Sequence, residues 1–497
     1  MDPTTTLTIH PAFAVGPVDE RIFGGFLEHL GRAVYEGVHD PASAHADEHG
    51  NRRDVLDALE RLWMTAMRWP GGNFVSGYHW RDGIGPVERR PVVREPAWKS
   101  AEPNTFGTHE FLDLAERIGW TPMLAVNLGT GAPEEAADWV EYTNAPTGTR
   151  WADERAANGR DEPWRVPLWC LGNEMDGPWQ LGHASAEVYG RLAQQAAMQM
   201  KLVDPTIETV ACGSSTVDSA TYGTWDRQVL ELVGGDADHL SLHRYVGNLA
   251  GDLDDYLAVG ASVDRQIEEA DAICRAVQAS TRRRKRTTLC FDEWNVWYRN
   301  FDMDGGWQRA PHLLEETYDL ADALVVAQFL LSFIRHADVV KIANLAQVVS
   351  VIAPLLTRGD DLLVQSIYHP FRMISDRRAG IALRVAVDGP TVATRSHGTV
   401  PVVDAAVVAD GGEVHLFAVN RSTGQAAPIR VTHLGGGFAA GSGELLTAGS
   451  PDATNGWEHP DVVQPVAAEV TIDDEGGAVV ELPPHSFLAA KLVTPHR

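Results

Sequence analysis

Along the first 345 residues, short apolar runs alternate with longer segments in which apolar residues recur every three or four positions. The short runs predict buried strands, and the longer segments predict amphipathic helices. The strands are predicted at Ile22–Leu27, Thr65–Trp69, Pro122–Asn127, Val166–Leu171, Thr209–Gly213, His239–Tyr245, Thr287–Phe291 and Val339–Leu345. The helices are predicted at Asp54–Leu62, Glu110–Ile118, Pro133–Asn144, Ser185–Val203, Thr224–Val233, Val259–Ala279 and Asp319–His336.

Strands that alternate with helices in this way are typical of parallel βαβ units. Eight such strands with long loops predict an α/β fold, a (β/α)₈ TIM barrel. The alternative is a doubly wound open sheet, but no GxGxxG pattern follows the first strand.

The pattern changes after about residue 380, where helical periodicity stops. Short alternating runs separated by Gly-, Asp- and Pro-containing turns predict a C-terminal antiparallel, jelly-roll-like β-sandwich. The runs are Ala382–Val387, Val402–Val408, Val414–Asn420, Ile429–His433, Ala468–Ile472, Ala478–Leu482 and Phe487–Leu492. Because the strand-like Thr4–His10 has no place in the barrel, we expect it to pair with this sandwich. The expected division is an N-terminal segment at 1–20, a barrel at 21–380 and a sandwich at 381–497.

Two apolar strands end in a glutamate. The first reads Trp169-Cys170-Leu171-Gly172-Asn173-Glu174, and the second Cys290-Phe291-Asp292-Glu293-Trp294. Parallel α/β barrels carry their chemistry at the carboxyl ends of the strands. Cleavage of a glycosidic bond needs a proton for the leaving oxygen and an anion beside the developing positive charge. Glu174 and Glu293 therefore predict a paired-carboxylate glycoside hydrolase, although a single glutamate at a strand end is more often a surface residue.

Other polar residues also follow the ends of predicted strands, and they offer the amide, carboxylate and guanidinium groups that bind hydroxyl-rich ligands. They are Glu28, Arg68, Asn73, Asn127, Asn173, His243, Tyr245 and Gln347. Alternation places His243 and Tyr245 on one face, although a lone histidine is more often a core residue. Glu28 and Arg68 have an alternative interpretation as a buried structural ion pair.

Aromatic residues are concentrated in the two loops that follow the second and seventh strands. Trp69, Tyr78 and Trp80 precede Trp98 in one loop, and Trp294, Trp297, Tyr298 and Trp307 belong to the other. Aromatic faces stack on sugar rings but serve equally well in a core. We interpret most of them as core residues, and Trp98 and Trp297 as sugar platforms.

Composition and charge limit the possible partners. The 497 residues carry a formal net charge of −27. A field of this sign repels phosphate backbones and anionic membranes, which argues against nucleic-acid and membrane partners. The start of the sequence lacks the pattern of a signal peptide, and no apolar run is long enough to span a bilayer, so we expect a cytoplasmic protein. The four cysteines lack CxxC spacing and are interpreted as buried free thiols.

Competing chemistries lack their motifs. No HExxH pattern indicates a metal hydrolase, no GxSxG elbow indicates a serine hydrolase, and no glycine cradle indicates a redox or phosphate-binding enzyme. Acid–base chemistry on a sugar, with neither metal nor cofactor, is the remaining interpretation.

At these residues the sequence resembles the α-L-arabinofuranosidases of glycoside hydrolase family 51. The resemblance runs through essentially the whole chain and is carried by segments 25–32, Arg68-Trp69-Pro70-Gly71-Gly72-Asn73, 97–100, Cys170-Leu171-Gly172-Asn173-Glu174-Met175-Asp176-Gly177-Pro178-Trp179-Gln180, 211–215 and Asp292-Glu293-Trp294-Asn295-Val296-Trp297-Tyr298. It implies a barrel with a C-terminal sandwich, a retaining mechanism, no cofactor and a homo-oligomer, often a hexamer.

The resemblance also implies a role for each matching residue. Glu174 is expected to be the general acid/base and Glu293 the nucleophile. Asn173 is expected to bind the sugar 2-hydroxyl, Tyr245 to donate to Glu293, and Trp98 and Trp297 to line the leaving-group side. The remaining shell is expected to comprise Glu28, Arg68, Asn73, His243 and Gln347.

Two positions depart from the family's pattern. Val246 stands where a second tyrosine is common, and Ser350 replaces the asparagine of a Val-Asn-Val stretch. Both departures concern fine specificity, including the preferred leaving group.

The resulting hypothesis is a retaining, exo-acting α-L-arabinofuranosidase acting on arabino- or arabinoxylo-oligosaccharides. The alternatives are an endoglucanase, β-xylosidase or galactofuranosidase on the same scaffold and, from a different class, a non-catalytic sugar-binding protein.

Overall fold

A closed barrel of eight parallel strands forms the larger part of the computed structural model, which describes residues 5–495. The strands up to residue 364 are β1 (Thr5–Pro17), β2 (Gly24–Phe26), β3 (Ala66–Trp69), β4 (Val93–Glu95), β5 (Ser100–Glu102), β6 (Thr121–Ala125), β7 (Leu168–Leu171), β8 (Glu208–Cys212), β9 (His239–Val246), β10 (Thr288–Val296), β11 (Val340–Ala346), β12 (Leu355–Arg358) and β13 (Asp361–Val364). The barrel runs in the order β2, β3, β6, β7, β8, β9, β10 and β11, and β11 pairs with β2 to close it. The predicted barrel is confirmed.

Helices separate the barrel strands. They are α1 (Arg53–Arg61), α2 (Thr108–Ile118), α3 (Pro133–Asn144), α4 (Arg150–Ala157), α5 (Ala186–Val203), α6 (Thr224–Val233), α7 (Leu253–Tyr256), α8 (Gly260–Thr281), α9 (Leu320–Arg335) and α10 (Tyr368–Ser375). No helix between residues 5 and 495 is both long enough and apolar enough to cross a membrane.

α9 links the barrel to the C-terminal sheet. Its sequence Leu-Ala-Asp-Ala-Leu-Val-Val-Ala-Gln-Phe-Leu-Leu is apolar almost all round, and nearly every residue is buried. The helix begins at a capping box, in which Asp319 and Asp322 each accept from the backbone N–H of the other. One side packs on β10 and β11, and the other packs on the C-terminal strands. The apolar circumference therefore follows from burial between two layers.

The C-terminal region is a mostly antiparallel ten-stranded sheet. Its ten strands are β1 together with β14 (Ile381–Asp388), β17 (Val403–Asp410), β18 (Glu413–Asn420), β19 (Ala427–His433), β20 (Ala440–Thr447), β21 (Gln464–Ala468), β22 (Thr471–Ile472), β23 (Ala478–Leu482) and β24 (Ser486–Val493). β15 (Thr391–Ala393) and β16 (Thr399–Pro401) form a separate hairpin. β1 lies between β14, to which it is antiparallel, and β19, to which it is parallel. The sheet curls so that β20 contacts β22 and β23 contacts β24, enclosing a core that includes Leu7, Val407 and Leu416.

Several elements differ from the sequence-based predictions. The strand predicted at Ala468–Ile472 is two strands, β21 and β22, which pair with β20 and β23 respectively because the sheet turns a corner between them. β20 was not predicted, since its glycines obscure the alternation. Helices α4, α7 and α10 and the hairpins β4–β5, β12–β13 and β15–β16 were also not predicted. Of the predicted first strand, Thr4 lies outside the described residues.

Asp404 on β17 connects α9 to the sheet. It is 8% exposed and pairs with two guanidiniums, those of Arg335 and Arg421, each at 2.9 Å. Arg335 also binds Asp264 on α8, at 2.7 Å. Carboxylates on two elements therefore neutralise cations at the junction of barrel and sheet.

We expect Asp404→Ala to lower the free energy of unfolding by about 3 kcal/mol, because two largely buried cations lose their carboxylate. Urea denaturation followed by circular dichroism measures this change. Asp410→Ala, at an exposed position of the same strand, is the matched control and should change stability by less than about 0.5 kcal/mol. Equal effects of the two substitutions would contradict this account of the junction.

Candidate active site

Two glutamates stand together at the carboxyl end of the barrel. Glu174 follows β7 after a tight turn in which Gly172 has φ +91° and Glu174 itself has φ +43°. Glu293 lies within β10, at a point where the pairing with β9 slips between Cys290 and Glu293. A carboxylate oxygen of Glu174 and one of Glu293 lie within 4.8 Å of each other. β7 and β10 therefore deliver a close pair of carboxyl groups.

Arg68 and Tyr245 hold the two oxygens of Glu293. Arg68 Nη1 donates to Oε1 at 2.6 Å, and the hydroxyl of Tyr245 donates to Oε2 at 2.9 Å. His243 Nδ1 lies 3.5 Å from the same Oε2. These contacts fix the orientation of the Glu293 carboxylate.

Glu174 is held by different donors. Nδ1 of His243 lies 2.9 Å from Oε1, and the indole N–H of Trp179 donates to Oε2 at 2.5 Å. Burial raises the pKa of Glu174, and the negative charge of Glu293 acts in the same direction, while the bond from His243 opposes both. A carboxyl group with a raised pKa retains a proton closer to neutral pH, as a general acid must.

Asp292 is a third buried carboxylate, to which the sequence-based reasoning gave no role. Its Oδ1 accepts from the hydroxyl of Ser241 at 2.5 Å, and its Oδ2 lies 3.4 Å from Arg68 Nη2. Burial disfavours its charge, but Arg68 and His243 outweigh burial and lower the pKa of Asp292 to about 2. Asp292 is therefore ionised throughout the physiological pH range.

His243 lies between these acids and is 2% exposed. Its Nε2 is 3.5 Å from Asp292 Oδ1, on the opposite side of the ring from Glu174. Burial lowers the pKa of His243, but the charges of Glu293 and Asp292 outweigh burial and raise it well above its usual range. The ring is therefore an imidazolium that donates from both nitrogens.

Glu28, just after β2, occupies the other side of Glu293. Its Oε1 accepts from the Phe74 backbone N–H at 3.0 Å and from the Trp98 indole at 3.1 Å, and Gln347 donates to Oε2 at 3.2 Å. Burial, followed by the charge of Glu293, raises the pKa of Glu28 to about 8. Glu28 is therefore mostly protonated near pH 7. The alternative of a Glu28–Arg68 ion pair is wrong, since Arg68 pairs with Glu293 and Asp292.

Asn173 ties Arg68 to the neighbouring loops. Arg68 Nη2 donates to the side-chain oxygen of Asn173 at 2.7 Å. The side-chain amide nitrogen of Asn173 donates in turn to Asn73 and to Gln180, both at 3.3 Å. Asn173 is 1% exposed. The residue before Glu174 is therefore fixed at the inner wall of the site.

A cavity of about 440 Å³ opens over the two glutamates. Exposure increases from 2% at Gln347 to 39% at Met303 and 54% at Trp179, so the first residue marks the inner end and the other two the mouth. At the inner end a Cβ on Gly72 would lie only 3.0 Å from Glu293 Oε1, so any larger residue at this position would crowd the carboxyl group. The lining residues are Glu28, Leu30, Gly72, Asn73, Trp98, Glu174, Trp179, Ser215, Thr216, Tyr245, Glu293, Trp297, Met303, Leu314, Gln347 and Ile352.

Most of the residues proposed from sequence come together in this one place. Eight line the cavity, namely Glu28, Asn73, Trp98, Glu174, Tyr245, Glu293, Trp297 and Gln347. Arg68, Asn173 and His243 lie behind them and bind the glutamates or each other. Asn127 does not line the cavity; its side chain instead accepts from the backbone of residues 129–131.

The aromatic residues divide as follows. Trp69 and Trp80 are core residues that pack against Trp139. Trp98 is 7% exposed, with its N–H bonded to Glu28. Trp297 is half-buried and meets the ring of Tyr245 edge-on at 5.6 Å. Leu30, Met303, Leu314 and Ile352 complete an apolar wall that sequence reasoning missed, since isolated aliphatic residues carry no distinguishing signal.

Within residues 5–495, donor atoms of Glu174, His243 and Glu293 approach one another closely enough to surround a metal ion. Their chemistry fits acid–base catalysis better. His243 is protonated and offers no lone pair, while Arg68 and Tyr245 already bind both oxygens of Glu293.

Comparisons with known proteins identify two matching family models. The model described as Alpha-L-arabinofuranosidase 1 domain matches residues 58–247, and the one described as Alpha-L-arabinofuranosidase C-terminal domain matches residues 292–486.

Similar proteins are known from several bacteria. An intracellular exo-α-(1→5)-L-arabinofuranosidase of Halalkalibacterium halodurans is 45% identical over 84% of this chain and 85% of its own length. An exo-α-(1→6)-L-arabinofuranosidase of Bifidobacterium longum is 41% identical over 97% of this chain and 96% of its own. A solved family 51 α-L-arabinofuranosidase from Bifidobacterium longum superposes with a TM-score of 0.95 at 37% identity, over 99% of this chain and all of its own.

The contacts of Asp292 predict how His243 titrates. Asp292→Asn keeps the shape and removes a charge, so the pKa of His243 should fall by about one unit or more. Titration of ¹⁵N-labelled histidine by NMR measures this change. Asp226→Asn, which alters a buried carboxylate bound to Ser214, is the control and should leave the His243 titration unchanged. A His243 pKa unmoved in the Asp292 variant would contradict this electrostatic role.

Proposed function

The chain belongs to the α-L-arabinofuranosidases of glycoside hydrolase family 51, exo-acting enzymes with a retaining mechanism, and we propose that Glu293 and Glu174 perform this reaction on arabino- or arabinoxylo-oligosaccharides. The observation that carries the proposal is the close approach of the two carboxyl groups: one oxygen of Glu174 lies within 4.8 Å of one oxygen of Glu293, a proximity that fits the narrower, retaining arrangement. Retaining glycosidases hold the two groups ~5–5.5 Å apart, and inverting enzymes ~6.5–9.5 Å.

In the first step Glu293 Oε attacks the anomeric carbon of the terminal arabinofuranose. The bond to the leaving oxygen breaks, and Glu174 gives that oxygen its proton. Arg68 and Tyr245 keep the nucleophile oriented throughout. The product is an arabinosyl ester of Glu293 and a free acceptor alcohol.

In the second step Glu174, now ionised, takes a proton from a water molecule. The resulting hydroxide attacks the anomeric carbon, the ester bond to Glu293 breaks, and arabinose leaves with retained configuration. The His243 imidazolium beside Oε1 stabilises the charge that Glu174 carries between the two steps. Both glutamates then return to their starting protonation states.

The shell around the pair suits a furanose. We assign to Asn173, the residue before Glu174, the contact with the 2-hydroxyl, which strengthens in the transition state. Glu28, Asn73 and Gln347 present polar groups at the inner end of the cavity. Because this end is closed while the mouth is exposed, the cavity admits the terminus of a chain, which supports exo action.

Trp98, Trp297 and the apolar wall are assigned to the leaving-group side. The two positions that depart from the family's pattern lie outside the lining. Val246 is 7% exposed at the end of β9, and Ser350 is fully buried with its hydroxyl 3.0 Å from that of Thr357.

The expected setting follows from the relatives. Several are named intracellular enzymes, which supports action inside the cell on short oligosaccharides that have been taken up.

We also propose a homo-oligomer, such as a hexamer. Val188, Met198 and Leu202 are exposed apolar residues of α5, and such residues favour contact with a second copy. Light scattering of the purified protein should therefore give a mass above 54.1 kDa, and a strictly monomeric mass would contradict this.

A panel of aryl glycosides and arabino-oligosaccharides tests the activity. Hydrolysis of the α-L-arabinofuranoside with release of single arabinose units is expected, with β-xylopyranosides and glucan chains hydrolysed at least ~100-fold more slowly. Hydrolysis of a pyranoside alone would contradict the proposal. Equal inactivity of wild type and Glu293→Ala on every glycoside would favour a non-catalytic sugar-binding protein.

The two glutamates predict different variant behaviour. Glu293→Ala should lose at least ~10⁴-fold in kcat on all substrates, because the covalent step has no nucleophile. Glu174→Ala should retain kcat/KM on 2,4-dinitrophenyl arabinofuranoside far better than on arabinobiose, because an activated leaving group needs no proton. Exposed Glu187, on α5, provides the control Glu187→Ala. Equal losses of the Glu174 variant on both substrates would contradict its acid role.

A further inference from the structure

Trp179 is an exposed residue bonded to Glu174, an acid whose side chain is only 11% exposed. Its side chain is at the cavity mouth, and the residue is 54% exposed, yet its indole N–H donates to Oε2 of Glu174 at 2.5 Å. The other oxygen, Oε1, lies 2.9 Å from protonated His243 Nδ1. Both oxygens of Glu174 are therefore in contact with nitrogen donors of the protein itself.

The backbone around Trp179 is built to hold this contact. The N–H of Gly177 donates to the Glu174 carbonyl at 2.8 Å, and that of Gln180 donates to the Gly177 carbonyl at 3.0 Å. The Gln180 side chain is anchored on Ser76 at 2.5 Å. Two successive turns thus bring residue 179 back over Glu174.

Gly177 supplies the space that the ring needs. A Cβ at this position would lie 2.6 Å from two carbon atoms of the Trp179 ring and 3.0 Å from its nitrogen. Contacts this short require the ring to move. A glycine at 177 is therefore a condition for the indole to reach Glu174.

This contact conflicts with proton delivery. Since His243 fills Oε1 as a donor, the catalytic proton of Glu174 is carried on Oε2. That proton must point at the leaving oxygen, in the region where the Trp179 N–H now lies. The indole and the leaving group therefore compete for one carboxyl oxygen.

We propose that Trp179 is a positioning residue that holds the Glu174 carboxyl group through Oε2 and releases Oε2 when the leaving group enters. The inference rests on the proposed function, because it assigns Glu174 the acid role. In the second step, after the acceptor alcohol has left, the indole returns to the carboxylate that activates water. Trp179 thus favours the charged form of Glu174 whenever no leaving group is present.

The sign of the effect on titration follows. A donor to the carboxylate stabilises its charged form, so loss of the N–H raises the pKa of Glu174 in the free enzyme. The charged and titratable groups that face Glu174 from the barrel strands are His243, Tyr245 and Glu293, with Asp292 behind His243. None of them is altered by a change at residue 179.

Trp179→Phe tests the proposal, because it keeps a ring and removes the N–H. The pH profile of kcat/KM, which reports the free enzyme, is measured on arabinobiose. Its alkaline limb should move upward by about 0.5–1 unit, as expected for one lost hydrogen bond to a carboxylate at a half-exposed site. The profile of kcat, which reports the occupied cavity, should move less.

Trp164→Phe is the matched control. The Trp164 indole also donates to a carboxylate, that of Asp113 at 2.8 Å, but on the protein surface. Its profile should coincide with that of wild type.

A second substrate separates this role from general damage to the site. On 2,4-dinitrophenyl arabinofuranoside the leaving group needs no proton, so Trp179→Phe should leave the alkaline limb of kcat/KM in place. Gly177→Ala displaces the Trp179 ring without changing its chemistry, so it should produce the same upward shift of the alkaline limb on arabinobiose. This second variant keeps the test possible if Trp179→Phe folds poorly.

An alkaline limb unmoved on arabinobiose in both variants, or moved equally on both substrates, would overturn the proposal. Wild type and Glu174→Ala are assayed in parallel. If wild type is active and Glu174→Ala shows the expected selectivity for the activated substrate, such a result removes only the role of Trp179. If wild type cleaves no arabinofuranoside, the proposed function fails as well.

Discussion

The buried guanidinium of Arg68 is the interaction on which the rest of the site depends. It is fully buried on β3, and its partners come from β10 and from the turn after β7. Phe26 of β2 packs against it at 4.5 Å. A cation without water requires compensating acceptors on several sides, so three separate parts of the barrel must be in register before the charge is satisfied. Burying these charges is unfavourable, and the packing of the surrounding core offsets that free energy.

The charges around Arg68 explain the protonation of the catalytic pair. Arg68 and the His243 imidazolium supply two positive charges, which Glu293 and Asp292 balance. A further negative charge in the same space has no remaining counterion, and burial together with the charge of Glu293 raises the pKa values of both Glu174 and Glu28. The different protonation of the acid and the nucleophile therefore follows from how the neighbouring charges are distributed, more than from the position of either glutamate in the barrel.

Much of this was predictable from the sequence, because barrel strands are buried on both faces and appear as continuous apolar runs that end in polar residues. The alternation of His243 and Tyr245 predicted that both lie on one face of their strand, and both side chains do lie beside Glu293. Asp292 escaped prediction for the same geometric reason, since alternation directs it away from its neighbour Glu293. The slipped pairing after Cys290 brings both carboxylates to Arg68, and no local sequence pattern reports such a slip. The apolar cavity wall was equally unpredictable, because its residues come from loops distant in sequence.

The position of β1 in the C-terminal sheet has a consequence for how the chain acquires its structure. β1 precedes the whole barrel in the sequence, yet its two partners, β14 and β19, are synthesised more than 360 residues later. Until then the strand presents unpaired backbone groups on both edges while the barrel forms beside it. Contacts of such long sequence separation are slow to form, so we expect the pairing of β1 with β14 and β19 to be among the last steps in the folding of the sheet.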